Sequence, residues 1–209
     1  MTAQTAASQH PTVFVVDDDP AVCRAIAAGI AQVAGLPVDS YASADEFLEH
    51  YDPRRPGCLV LDVKMPGMSG LDLQEALRER GASLPIIMIS GHAEVRTAVK
   101  AMAGGALVLL EKPFDMRQLE EQVRHALEID AQARELIRRR DAIAARAAGL
   151  TSREREVMDL LVDGKTNKEI SLALGISLPT VDKHRWKVFE KMGVEHVVEL
   201  VRLMNEFAP

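Results

Sequence analysis

The chain has 209 residues, is 47% hydrophobic but only 4% aromatic, and carries a formal net charge of −6. That length allows one large or two modest domains with a true, mainly aliphatic core. The charge excludes a chain that is basic throughout, but not a locally basic face for nucleic acid. Cys23 and Cys58, the only cysteines, fall in an expected helix and an expected buried strand. Both read as small buried hydrophobes of a reducing compartment. With no signal-peptide pattern and no apolar run of about 18 residues, the chain is expected to be cytoplasmic and to make no membrane contact.

Residues 1–10 are small and polar and read as a flexible tail. From Thr12, short β-rich runs (12–17, 37–41, 58–62, 85–90, 106–110) alternate with helical stretches (20–33, 44–51, 70–80, 94–103, then 115 onward). This alternation predicts βαβ units and a five-stranded parallel sheet of the doubly wound α/β class, covered on both faces. Runs such as Ile86-Ile87-Met88-Ile89 are continuously apolar, as strands buried on both sides require. From Asp115 to Ala148 there is neither Gly nor Pro. Asp115 can cap a helix there, and Leu119, Val123, Ala126 and Leu127 supply a stripe for docking on the sheet. Beyond Ile129 the stretch turns charged and Ala-rich, which predicts one helix, about 50 Å long, leaving the first domain as a linker. The block Arg138–Arg140 reads as solvated surface.

An all-helical unit is expected after Gly149. Thr151-Ser152-Arg153-Glu154 and Thr166-Asn167-Lys168-Glu169 are capping boxes, each opening a helix. Ser177 caps a third, with Pro179 tolerated in its first turn, and a last helix covers about 195–207. In the third helix Leu178, Val181, Val188 and Met192 should face inward. Lys183, Trp186, Lys187 and Glu190 share another face, flanked by His184 and Arg185. A helix after a tight turn with Lys-rich outward residues suits the major groove of DNA.

The chemistry concentrates at strand ends. Asp17-Asp18-Asp19, Asp62, Ser90 and Glu111-Lys112 each follow a different apolar run, on the sheet edge where parallel α/β folds bind ligands. A single Asp there could be a helix cap, a role that suits Asp19 before Pro20. Four polar groups on four strands are better explained as one site. Converging carboxylates stay ionised only with a cation between them, and all-oxygen donors favour a hard divalent ion, Mg²⁺ first. A metal, a carboxylate nucleophile and a lysine together suit phosphoryl transfer. The Lys112–Pro113 bond is a candidate cis peptide.

The segments VVDDDP, LVLDVKMPGMSG, PIIMISGH and LLEKPF, in that order, resemble the receiver domain of bacterial two-component response regulators across residues 11–127. The resemblance implies that Asp62 accepts a phosphoryl group from a sensor histidine kinase. Asp17, Asp18 and Asp62 would hold Mg²⁺, Asp18 more directly than Asp17, with the main-chain carbonyl of Lys64 completing the shell. Ser90 and Lys112 would bind the phosphoryl oxygens and couple them to a switch. One position departs from the family: the usual switch aromatic is Leu109, which can repack but cannot swing a ring.

Residues 148–209 resemble the LuxR/NarL helix-turn-helix, so the whole chain resembles a FixJ-type regulator, with residues 128–147 as the linker helix. This implies double-stranded promoter DNA as a partner and a homodimer on phosphorylation, formed near 95–102 and 107–110. By position Lys183 and Trp186 would read bases. Thr180, Arg185 and Lys187 would contact phosphates and His184 would flank them, while Asp182 stands where relatives often carry a base-contacting residue and its charge would repel phosphates. Two competing readings are a haloacid-dehalogenase-like phosphatase, with Asp17 as nucleophile and Asp19 as acid, and a receiver regulated by protein contact alone. The phosphatase lacks a later paired acidic motif and leaves Asp62 without a role.

Overall fold

The computed structural model describes residues 10–91 and 94–207, so the expected tail lies outside them except for His10. The chain divides into a first unit ending at Arg134 and a second beginning at Glu135. In the first, β1 (Thr12–Val16), β2 (Val38–Tyr41), β3 (Gly57–Asp62), β4 (Ile86–Ser90) and β5 (Val108–Glu111) alternate with α1 (Pro20–Ala34), α2 (Ala44–His50), α3 (Gly70–Glu79) and α4 (Val95–Ala103). Then α5 runs unbroken from Met116 to Ala148. The strands form one parallel sheet in the order β2-β1-β3-β4-β5.

The pleat sorts the apolar runs into two layers. Phe14, Val16, Leu59, Leu61 and Met88 point to one face and pack with Phe47 of α2, Leu73 and Leu77 of α3 and Ala101 of α4. Val13, Val15, Cys58, Val60, Ile87 and Ile89 point to the other. There they meet Cys23, Ile26 and Ile30 of α1 and Leu119, Val123 and Ala126 of α5. Both cysteines are buried and free. The last strand starts later than its apolar run suggested: Ala106 N–H still donates to Ala101 O, closing the turn after α4, and Leu107 N–H makes the first bond to β4, at Ile86 O.

A buried ion pair ties α5 to the sheet, within the stretch read as linker. Asp130, 1% exposed, accepts from Gly57 N–H at 2.9 Å and from Arg134 Nε at 2.8 Å. The Arg134 guanidinium also donates to the carbonyls of Pro53, Arg54 and Arg55. An arginine fork is suited to such several-point capture of carbonyls.

In the second unit follow α6 (Ser152–Val162), α7 (Asn167–Leu174), α8 (Leu178–Met192) and α9 (Val197–Phe207). Both capping boxes are present, and Ser177 caps α8. Val157, Leu161, Ile170, Val181, Val188, Met192 and Leu200 form the core. Leu178 corrects an expectation: it is 47% exposed, because the core begins on α8 only at Val181. Glu154 reaches from α6 to α8, accepting from Lys191 Nζ at 2.7 Å as well as from Thr151 N–H.

Two outcomes follow. Replacing Asp130 by Ala leaves Gly57 N–H and the Arg134 charge without this partner. It should cost the first unit about 3–5 kcal/mol, read in urea by near-UV dichroism of Tyr41 and Tyr51, the only tyrosines and both in this unit. The Lys191 hydrogen bond, with the Thr151 cap, pulls the Glu154 pKa from its ordinary 4.5 to about 2. A depressed carboxylate pKa stabilises above the ordinary value and is lost as pH falls through the depressed one. The second unit should therefore weaken between about pH 5 and 2. Lys191→Met should move its acid transition to higher pH, followed by fluorescence of Trp186, the only tryptophan.

Candidate functional site

The crevice at the carboxyl ends of the strands is organised by Lys112. Its Nζ lies 2.6 Å from Asp17 Oδ2 and 2.6 Å from Asp62 Oδ1. Both carboxylates are buried and sit at the ends of β1 and β3. The other oxygen of Asp62 accepts from Lys64 N–H at 2.7 Å, and the other oxygen of Asp17 from Asp19 N–H at 2.9 Å. Ser90, also buried, ends β4, and its carbonyl accepts Lys112 N–H at 2.8 Å. The Lys112–Pro113 peptide is cis. Asp18 is exposed beside Asp17. Asp19 caps α1, accepting from Ala21 N–H at 2.7 Å.

These groups perturb one another. Burial pushes the Asp62 carboxyl above its ordinary pKa and the Asp17 charge adds to this, while Lys112 and Lys64 N–H oppose it. Burial works against the Lys112 charge, but its hydrogen bonds to Asp17 and Asp62 prevail and hold its pKa above the ordinary value. Gly70, which opens α3, touches the backbone behind Asp62. A Cβ there would lie 2.1 Å from Asp62 O. The sequence shows the glycine but not this approach.

Of the three expected carboxylates, Asp17 and Asp62 meet on one lysine and Asp18 is exposed beside Asp17; among the described residues no group of three or more His, Cys, Asp or Glu side chains is gathered closely enough to hold an ion. Lys112 stands between Asp17 and Asp62 instead. The donor set is nonetheless all oxygen, with Asp18 open to solvent beside the pair, and that chemistry fits a hard divalent cation.

On α8, Lys183 and Trp186 are exposed as expected, Trp186 by 58%. Lys187 lies over the Trp186 ring, 4.4 Å from its centre, and pairs with Glu190. Thr180 Oγ1 is engaged with Ser177 Oγ at the helix cap, and His184 is half-buried. Arg185 is turned partly inward: its Nη1 lies 2.5 Å from Asn167 Oδ1 and its guanidinium 5.5 Å from the Phe189 ring. Asn167 was not among the expected site residues. Nothing local in the sequence marks it, since only the crossing of α7 and α8 brings it to Arg185.

The sequence matches the response regulator receiver domain over residues 13–124. It matches the luxR family of bacterial regulatory proteins over residues 148–204. The chain belongs to the response regulators. It is 42% identical over 191 residues to the transcriptional regulatory protein FixJ of Azorhizobium caulinodans, covering 91% of this chain and 90% of that protein. It is 40% identical over 195 residues to the response regulator protein TmoT of Ectopseudomonas mendocina, covering 93% of this chain and 88% of the relative. Among solved structures, the response regulator StyR superposes with a TM-score of 0.86 at 38% identity, covering 94% of this chain and 99% of that one.

This response regulator is therefore a DNA-binding transcription regulator and not an enzyme. The family implies a histidine kinase as partner for the receiver and DNA for the helical unit. A phosphatase reading has no support: Asp19, its required acid, is committed to capping α1. No helix among the described residues is long and apolar enough to cross a membrane.

Removing the ammonium should push Asp62 further from ordinary behaviour, since Lys112 is the cation that opposes burial and Asp17. In Lys112→Met the Asp62 pKa is expected to rise above that of the wild type, followed by carboxyl ¹³C chemical shifts during a pH titration. A fall would mean that Lys112 does not control this carboxylate.

Proposed function

We propose that Asp62 is the phosphoacceptor of this response regulator, and that its modification drives pairing of two chains and binding to promoter DNA through α8. The observation that carries the reading is the buried Asp62 carboxylate with Lys112 Nζ at 2.6 Å and Ser90 ending the adjacent strand. An Asp62 oxygen attacks the phosphorus of a phosphohistidine, the P–N bond breaks, and an acyl phosphate forms. Lys112 and Ser90 receive the phosphoryl oxygens, as an ammonium and a hydroxyl can. Asp17, Asp18, Asp62 and the main-chain carbonyl of Lys64 would hold Mg²⁺. The ion, when bound, neutralises charge on the transferring group.

Charge arriving at Asp62 then changes how Lys112 and Ser90 are shared. Leu109 is half-buried against the layer of α2, α3 and α4, so the response passes through aliphatic repacking in place of a ring movement. For pairing, α4 offers Val95, Val99 and Met102 at i, i+4 and i+7, all exposed, beside the edge strand β5. An apolar stripe of that kind favours burial against a partner, and a second copy presents the same stripe. Lys183, Trp186 and Lys187 would meet the DNA from α8, with Thr180 and His184 at its margins. Arg185, tied to Asn167, serves the phosphates only at the edge of its reach.

Incubation with Mg²⁺ and acetyl phosphate should add one phosphoryl group to the wild type by mass, and none to Asp62→Asn. Lys112→Ala should slow labelling by on the order of 10²–10³-fold, as loss of one transition-state donor does. Labelling should raise the dimer fraction in sedimentation and tighten DNA binding. Equal labelling of the Asn variant would remove Asp62 from its role. Labelling with no change in oligomer or DNA affinity would favour regulation by protein contact alone.

A further inference from the structure

Asp182 and Lys183, with Trp186 one turn further on, stand exposed on one face of α8. An acidic side chain is an unexpected member of a face that meets a polyanion, yet its carboxylate is held in place. Asn167 Nδ2 donates to Asp182 Oδ1 at 2.7 Å, while the same amide accepts from Arg185 Nη1 at 2.5 Å. Asn167 is the first residue of α7, directly after the Thr166 cap. One amide at a fixed helix start thus orients the acid on α8 and also holds the Arg185 guanidinium.

An Asp carboxylate is an acceptor with about four lone-pair sites, and Asn167 takes only one of them. In the major groove, guanine and thymine present acceptors at their polar edges and would repel it. Adenine sets the N7 acceptor beside its amine, whereas cytosine offers N4–H₂ donors alone. We propose that Asp182, positioned by Asn167, reads a cytosine amino group and so determines specificity at one operator position. The proposal rests on α8 being the DNA-recognition helix.

The test uses the full chain, labelled with acetyl phosphate and Mg²⁺, and a pool of duplexes with a randomised central segment. Bound duplexes are sequenced, and affinities for single-base variants of the selected duplex are measured at one fixed salt concentration, because phosphate contacts make affinity salt-dependent. Wild type should prefer cytosine at one position by about 5- to 100-fold, the range of a good side chain–base pair. Asp182→Ala should lose the preference there and nowhere else. Asp182→Asn should move it to adenine, whose N6 and N7 an amide pairs. Asn167→Ala should keep cytosine but narrow the margin. The proposal falls if Asp182→Ala retains every base preference, including the case in which its affinity rises uniformly because only phosphate repulsion was relieved. If the wild type selects no base at any position, the reading of α8 itself fails, and this proposal with it.

Discussion

The ammonium of Lys112 between Asp17 and Asp62 is the interaction on which the rest of the receiver unit turns. Two buried carboxylates at the ends of neighbouring strands repel each other, and burial raises the cost of each charge. One cation shared between them allows both to stay at the sheet edge. Lys112 lies 95 residues from Asp17 and 50 from Asp62, so the contact also closes β1 and β3 onto the loop after β5. An ion pair of this sort adds little net stability, because desolvation offsets its attraction. Stability comes from the two aliphatic layers, and they allow the edge to hold charges that can be rearranged. On the function proposed above, a phosphoryl group on Asp62 would compete directly for the ammonium, which would make the crevice a switch as well as an acceptor.

The second unit is built differently. Its core is small, and three of its helices start with side-chain caps placed by short sequence motifs. Polar ties between helices do the remaining alignment: Glu154 with Lys191 from α6 to α8, and Asn167 with Asp182 and Arg185 from α7 to α8. The positive charge of α8 is thin, since Lys187 pairs with Glu190 and Arg185 is partly drawn inward. DNA affinity grows with the number of phosphates neutralised. A recognition helix with so few available cations gains most from a second copy on the same duplex, and that is a reason for the pairing proposed above.

Much of this was legible in the residues. Continuous apolar runs bounded by Gly and Pro are enough for the strands, and Thr151, Thr166 and Ser177 announce their helices because a cap is local. Two readings gave way to longer-range facts. The apolar run before Glu111 looked like strand from its start, but Ala106 still bonds back to Ala101 of α4 and the strand opens only beyond it. Leu178 fits the inward period of α8, yet it stands ahead of the core that the period serves. The carboxylates were visible as candidates, whereas the sharing of one lysine by Asp17 and Asp62 was not.

The sequence by itself determined the alternation of strands and helices, the caps and the two-part organisation, and it put forward the candidates for phosphoryl chemistry. Each of these rests on patterns within a few residues. Tertiary structure alone decided that Lys112 spans Asp17 and Asp62, that Arg134 captures the carbonyls of residues 53–55, and that Asn167 joins Asp182 to Arg185. In each case the partners are far apart in the chain. They meet because the sheet takes the order β2-β1-β3-β4-β5 and because α7 crosses α8. Electrostatics and hydrogen bonding act over a few ångströms in space, so no local pattern records them.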